Sequence, residues 1–382
     1  MQGRRQAYMK NQQKFYNIEN LLESKCEYNI LLGERSNGKS YATKYMTLWE
    51  SFNEEDYLSF KKAGKHIPKT RYMFGYIRRW REEIKTKDIE QYFADMPIEE
   101  ITNGEYNTIV CFRGSIYYAK NEDGVIERGK QIGYTFALTG VTHYKSLAYP
   151  KIGNVIYEEF ITNQGYLPHE VDNLMDIIST IARREYVRVF LIGNTISRLC
   201  PYFDEWQLTH VKKQKQGTID IYHQPTNQVD DSGNNIVVKI AVEYCENSGK
   251  NSKMFFGKKS EMITSGVWDS NNYPHLEYPL NHYRCVYKIL YEYKTFRFII
   301  NLLLSDNNEP FLYIYPATKD NSSIKRVVTD KYSIDRYTTT YLTDLCRYDN
   351  IVVELIKNNK ICYSDNLSGT EFEQIRKERG GY

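Results

Sequence analysis

The stretch Gly33–Ser40 reads G-E-R-S-N-G-K-S, and its residue types fit the handling of a phosphate chain. Gly33 and Gly38 let the backbone curl so that its N–H groups point inward at an anion. Lys39 brings a cation to the outer phosphates, and the Ser40 hydroxyl can ligate Mg²⁺. Glu34, Arg35, Ser36 and Asn37 form the loop between the glycines, and Tyr41 follows it as a further nucleotide-side residue. A second group is the acid pair Glu158 and Glu159, at the end of N-V-I-Y-E-E-F. Hydrolysis needs one carboxylate for the metal and a second group to act on the attacking water. The pair supplies Glu158 for the first role and Glu159 for the second. Asn194, at the end of V-R-V-F-L-I-G-N, is the candidate sensor of the γ-phosphate. Together these residues imply ATP as nucleotide and Mg²⁺ as its cofactor.

The elements that must position them are readable nearby. The apolar run Ile30–Leu32 predicts a strand before the loop, and Tyr41–Phe52 predicts a helix after it. Further strands are expected at Tyr72–Ile77, Ile132–Leu138, Asn154–Phe160 and Val187–Ile192, and helices at Asp88–Phe93 and His169–Ile181. Thr108–Cys111 and Ile116–Ala119 predict a hairpin, followed by a polar tip from Lys120 to Lys130. Strands alternating with helices imply a parallel, three-layered α/β sheet. Ligands on such sheets bind outside the carboxyl ends of the strands, where the glycine loop, the acid pair and Asn194 all fall. No guanine-reading N-K-x-D or D-x-x-G stands in a fitting place, which argues against a GTPase switch. The arrangement resembles the additional-strand catalytic-glutamate P-loop NTPases, most of which are motors.

After Lys212 the chain turns polar, with turn-rich stretches at Gln214–Gly217 and Gln224–Asn235 around a strand at Ile236–Glu243. From Arg284 it is β-rich, and Phe296–Leu304 with Phe311–Tyr315 predict a hairpin. The expected domains are 1–245, 246–280 as a linker, and 281–382. At 382 residues two domains are the natural reading, and 41% apolar content suffices for real cores. A net charge of +3 is not that of a histone-like binder, so nucleic acid would be met by local patches. The 7 cysteines are scattered, odd in number and without a C-x-x-C pair, so reduced thiols are expected rather than a disulfide framework or zinc ribbon. The polar N-terminus shows no secretory signal. The longest apolar run, Phe298–Leu304, is too short to cross a bilayer.

In order along the chain stand I-L-L-G-E-R-S-N-G-K-S-Y-A (30–42), G-Y-I-R-R (75–79), Y-K-S-L-A-Y-P (144–150), N-V-I-Y-E-E-F (154–160), Y-L-P-H-E-V (166–171), V-R-V-F-L-I-G-N-T (187–195) and P-Y-F (201–203). On these pieces the N-terminal half resembles the phi29-like DNA-packaging (encapsidation) ATPases of tailed phages, relatives of the terminase large subunits. The resemblance implies a phosphate contact for Arg35 and a functional place for Arg78 and Arg79. It implies that Lys145 reaches a neighbouring subunit's nucleotide, and that the arginine finger is Arg183 or Arg184. Glu158 departs from the family's usual Asp at the metal position. The implied assembly is a homo-oligomeric ring of five subunits, docked transiently on the portal (connector) of a procapsid in the host cytoplasm. It would drive double-stranded DNA inward, with a packaging RNA as a further partner and no membrane.

The resemblance also implies an RNase H-like C-terminal domain. Its leading strand is expected at F-R-F-I-I-N-L-L-L, which carries no acid, so the nuclease is expected to be vestigial. Lys325, Arg326, Lys331, Arg336, Lys357 and Lys360 are candidate contacts to DNA or RNA. Two alternatives remain: a terminase with an active C-terminal nuclease, and a non-hydrolysing nucleotide-binding adaptor.

Overall fold

Strands that are apolar on both faces must be covered on both sides, and in this chain they form the middle of one sheet. The computed structural model describes residues 16–35, 37–162, 165–183, 185–195, 200–229, 233, 235–246, 272–294, 296–317, 323–330, 338–339 and 346–379. The first sheet is built from β1 (Tyr28–Gly33), β2 (Met73–Arg78), β3 (Thr108–Phe112), β4 (Ser115–Glu122), β5 (Val125–Ala137), β6 (Ile152–Glu158), β7 (Arg188–Asn194), β8 (Thr218–Val229) and β9 (Asn235–Tyr244). Their order is β3-β4-β5-β2-β6-β7-β1-β9-β8. The run β5-β2-β6-β7-β1-β9 is parallel, and both edges are antiparallel hairpins. Strand β7 therefore lies between β1, which feeds the glycine loop, and β6, which ends in Glu158. β1 is buried at every position, and the helix Lys39–Asn53 leads away from its end.

Two stretches differ from expectation. The polar segment 120–130 is not a loose tip: β4 and β5 pair through Glu122↔Val125, leaving only a tight turn at Asp123–Gly124. The stretch read as turn-rich around Gln224 belongs to β8, which pairs with β9. β8 is an edge strand, and only one side of it needs apolar residues.

A buried ionic cluster anchors the bottom of this sheet. The Glu50 carboxylate, near the end of the helix Lys39–Asn53, is fully buried. It accepts hydrogen bonds from Arg188 Nη2 at 2.5 Å, Lys69 Nζ at 2.8 Å and Asn154 Nδ2 at 2.8 Å. Arg188 Nε also donates to Asn154 Oδ1. Burial alone would raise the Glu50 pKa, but Arg188 and Lys69 outweigh it and hold the carboxyl at about 2. The helix is thereby fixed to the starts of β6 and β7.

The chain divides into two compact units, the first of residues 1–195 and 201–267 and the second of residues 196–200 and 268–382. Its sheet comprises β10 (Arg284–Tyr293), β11 (Phe296–Leu304), β12 (Pro310–Pro316), β13 (Arg326–Val328), β14 (Thr338–Thr339) and β15 (Ile361–Tyr363), in the order β14-β13-β10-β11-β12-β15. β10, β11 and β12 are antiparallel, while β13 pairs parallel with β10. The helices Arg347–Lys357 and Asn366–Glu378 add Val352, Phe372 and Ile375 to a core with Ile289, Ile300, Leu312 and Ile314. The leading strand is thus β10 and not the expected β11. Part of the expected linker is held on this unit: Tyr363 N donates to Pro274 O, and Tyr273 N donates to Asn366 Oδ1. Arg326, expected at the surface, is buried and paired with Asp349 at 3.2 Å. Lys331 and Arg336 lie outside the described residues.

Replacing Glu50 by Gln leaves the buried Arg188 without its ion-pair partner and Lys69 with only the more distant Asp56, at 3.7 Å. The expected cost in chemical unfolding of the full chain is about 3–5 kcal/mol. A loss below about 1 kcal/mol would show that the cluster is not an anchor.

Candidate nucleotide site

The glycine loop leaves the end of β1 at Gly33, with φ +148°, and re-enters a helix after Gly38, with φ +98°. A side chain would be strained at either position. A Cβ at Gly33 would also stand 3.1 Å from Asn37 Nδ2 and 3.4 Å from Cys245 Cβ, so the inner wall of the cradle has no spare room. Lys39 opens the helix and folds back under its own loop. Its Nζ donates to Glu34 O at 2.6 Å and to Asn37 Oδ1 at 3.1 Å. Burial lowers the Lys39 pKa, against the pull of Cys245, Glu158 and Glu34. The parallel register sets Gly33 opposite Asn194 and Glu158 opposite Ile192.

These strand ends converge as expected. Arg35, Ser40, Glu158, Glu159, Ile192, Gly193 and Asn194 line one pocket. Ser40 lies beside the buried Glu158 carboxylate in this pocket and favours its charged form. The Tyr92 hydroxyl donates to Glu158 Oε1 at 2.7 Å. Burial raises the Glu158 pKa, while Tyr92, Ser40, Arg78 and Lys44 oppose it. A hydroxyl and a carboxylate side by side form the hard-oxygen donor set that suits Mg²⁺. The longer Glu158 side chain is thus held in place by a tyrosine. Tyr92 lies on the helix Thr86–Phe93, and Lys44 Nζ fixes that helix by donating to Tyr92 O at 2.7 Å and to Asp95 at 2.5 Å.

Glu159 stands just beyond β6 with φ +55°, and its side chain is largely exposed. Arg78 Nη2 donates to Glu159 Oε2 at 2.9 Å and also pairs with Glu83. Arg79 is neither a solvated strand end nor open to a phosphate. It is buried, with its guanidinium on the Glu170 carboxylate at 2.8 and 2.9 Å.

Lys145 and Arg183 are not part of this pocket. Lys145 Nζ pairs with Asp176 at 2.8 Å, and Arg183 Nη2 donates to Leu147 O at 2.8 Å. Both belong to the surface around the helix Glu170–Ala182, whose far end carries Arg183. Arg71 marks that end as the opposite rim of the sheet: it donates to Ile152 O at the start of β6 and to Ile181 O and Ala182 O. The 13-residue helix is about 20 Å long. Arg183 therefore cannot reach the pocket of its own chain. Tyr41, within the helix Lys39–Asn53, packs partly buried against the core. Ser36 and Arg184 lie outside the described residues. Sequence reasoning missed Tyr92 and Glu170; neither adjoins an expected site residue in the chain. All 7 cysteines are free.

The family model for the Podovirus DNA encapsidation protein (Gp16) matches residues 10–363. The chain belongs to this family. Among curated proteins it is similar to the DNA packaging protein of Bacillus phage B103, with 32% identity over 179 residues, 46% of each chain. It is also similar to the DNA packaging protein of Bacillus phage phi29, with 30% identity over 193 residues, 50% of this chain and 49% of that one. The match thus spans about half the length of these curated relatives. Among solved structures it is similar to the bacteriophage Phi-29 viral genome packaging motor assembly (TM-score 0.49, 22% identity, 96% of this chain and 98% of that chain). It is also similar to the N-terminal domain of the DNA packaging ATPase from bacteriophage phi29 (TM-score 0.41, 27% identity, 60% of this chain and 95% of that chain). No helix among the described residues is long and apolar enough to cross a membrane.

Tyr16 touches the glycine loop. Tyr16 N donates to Asn37 O, and Tyr16 OH donates to Glu243 Oε2 at 2.6 Å. Burial, with Glu246 nearby, lifts the Glu243 pKa from 4.5 to about 7 although the Tyr16 hydroxyl opposes it. Between these values the folded chain binds the proton and the unfolded chain does not. This stabilisation is full below pH 4.5 and is lost as pH rises through about 7. The loss amounts to roughly 3 kcal/mol. Glu243→Gln is expected to flatten the fall in stability between pH 5 and 8, measured by denaturant titration at each pH. An unchanged pH slope would rule out this carboxyl as its source.

Proposed function

We propose that the chain is a subunit of an ATP-driven motor that moves double-stranded DNA into a procapsid through its portal. On this reading the N-terminal unit is a P-loop ATPase of the additional-strand catalytic-glutamate type. One observation carries it: the glycine loop, Glu158, Glu159 and Asn194 meet in a single pocket, with β7 interposed between β1 and β6. Lys39 and Arg35 bind the phosphate chain together with the loop's backbone N–H groups, and Asn194 senses its terminal group. Ser40 and Glu158 are the residues that would hold Mg²⁺, which supplies charge neutralisation on the phosphates when bound. Glu159 orients and deprotonates the attacking water once its carboxylate is released from Arg78. Tyr92 keeps Glu158 turned toward Ser40.

Arg183 and Lys145 lie outside the pocket of their own chain, which favours action on a neighbouring subunit's nucleotide in a closed ring, five subunits by the family resemblance. The implied partners are DNA, the portal, other copies of the chain and a packaging RNA, with transient docking on the portal vertex in the host cytoplasm. The second unit supports an RNase H-like reading through its strand order β12-β11-β10-β13-β14, antiparallel among the first three. Nuclease chemistry needs converging carboxylates. Among the described residues no three His, Cys, Asp or Glu groups converge, and Glu292 on β10 is paired with Arg297. As the family resemblance implies, we read this unit as an inactive nuclease, and the full chain is expected to leave plasmid DNA uncut with Mg²⁺ or Mn²⁺.

Lys39→Ala is expected to lose ATP binding and DNA packaging together, measured by fluorescent-nucleotide titration and a packaging assay. Retained packaging would overturn the site assignment. Glu159→Gln should bind ATP but lose DNA-stimulated hydrolysis. Subunits carrying Arg183→Ala, inactive alone, should regain ATPase when mixed with Glu159→Gln subunits, since finger and base then come from different chains. Absence of recovery argues against Arg183 as the finger. Tyr92→Phe is expected to weaken Mg²⁺ binding about 10–100-fold, read from the Mg²⁺ dependence of nucleotide affinity. An unchanged dependence would remove Tyr92 from the metal site.

A further inference from the structure

The backbone at Glu159 needs an explanation of its own. A non-glycine residue at φ +55° is held there by its surroundings and not by preference. The surroundings are specific. Arg79 Nη1 donates to Glu159 O at 3.2 Å, and Arg79 Nη2 donates to Phe160 O at 2.8 Å. The same guanidinium makes a two-point bond to Glu170, through Nε at 2.8 Å and Nη2 at 2.9 Å. Glu170 is 2% exposed and Arg79 is 6% exposed.

The Glu170 carboxylate gathers more than this arginine. Tyr157 OH donates to it at 2.8 Å from β6, and Tyr202 OH at 3.0 Å from the helix Pro201–Glu205. Leu167 N donates at 2.9 Å from the segment that closes the loop. Glu170 also opens the helix Glu170–Ala182, where the helix dipole favours a negative charge. The carboxylate thus ties the end of β2, the body of β6, the loop after β6 and the segment after β7 to one point. Buried ion pairs of this kind contribute little net stability over apolar residues of the same shape. Their effect here is directional, because a planar guanidinium fixes two carbonyls and a carboxylate in one plane.

The geometry points to Glu170 and Arg79 as a positioning pair that fixes where the Glu159 carboxylate stands over the pocket. The inference rests on the reading of Glu159 as the base. The adjacent arginines divide the work. Arg78 holds the side chain of Glu159 and can let it go, while Arg79 holds its backbone and is locked by Glu170. Neither Arg79 nor Glu170 lines the pocket, so both act through Glu159.

The deciding variant of the full chain is the double substitution Arg79→Met/Glu170→Met, which removes both charges and keeps side-chain bulk. It is expected to bind a fluorescent ATP analogue within about twofold of the unchanged chain and to keep its KM for ATP. Its kcat should fall about 100-fold, the effect of a displacement near 1 Å at a reacting group. Amide exchange at Phe160 and Ile161 should quicken while that of β1 is unchanged. If the double variant does not fold, Arg79→Lys decides the matter. It keeps the charge opposite Glu170 but lacks the fork that reaches both carbonyls, so it should show the same loss of kcat at constant KM. Full kcat with unchanged exchange at Phe160, in a chain whose Glu159→Gln form is inactive, would overturn the positioning role and leave the base assignment standing. An active Glu159→Gln form would instead overturn the base assignment itself.

Discussion

A carboxylate with no access to water governs the geometry of the whole N-terminal unit. Glu50 sits near the end of the helix whose first residues are Lys39 and Ser40, and it is bonded to the first turn of the two strands that end in Glu158 and Asn194. Helix and strands are stiff elements. Fixing them together at the bottom of the sheet sets the relative position of their tops. The loop, the acid pair and the asparagine are thus held in register by a contact remote from all of them. Removing Glu50 would leave the Arg188 guanidinium buried without its partner, and removing Arg188 would take the nearest cation from a buried carboxylate, which is why the cluster behaves as a unit.

The site itself uses arginines in two different ways. Arg78 is bonded to side chains, Glu83 and Glu159, and its bond to the exposed Glu159 carboxylate is open to exchange with water. Arg79 is bonded to backbone carbonyls and to a buried carboxylate, so it is part of the frame. Lys39 is a third case. Its ammonium donates to a carbonyl of its own loop, which satisfies a buried charge.

Much of this site was legible in the chain because each part ends an apolar run. Ile30–Leu32 points to Gly33, Val155–Tyr157 to Glu158, and Val189–Ile192 to Asn194, and parallel pairing then brings the ends together. What was not legible depends on approach in three dimensions. Tyr92 comes from a short helix in a charged stretch, and nothing local says that its hydroxyl meets Glu158. Glu170 reads as an ordinary first-turn acid, since its partners lie at residues 79, 157 and 202. Strand β8 was hidden because an edge strand needs apolar residues on one side only. Strand β10 was hidden because tyrosines and lysine interrupt its apolar pattern, while the unbroken run of β11 drew attention to itself.

The helix Glu170–Ala182 has one further consequence. Its first residue is bonded into the frame around Glu159, and Arg183 projects just past its last. It is a rod about 20 Å long with a different set of contacts at each end. A tilt of about 10° at the first end would carry the other through about 3 Å, by the geometry of a rod of that length. If the proposed ring forms, with the proposed roles of Glu159 and Arg183, a change at one site would be delivered mechanically to the next along this rod, without any separate signalling element.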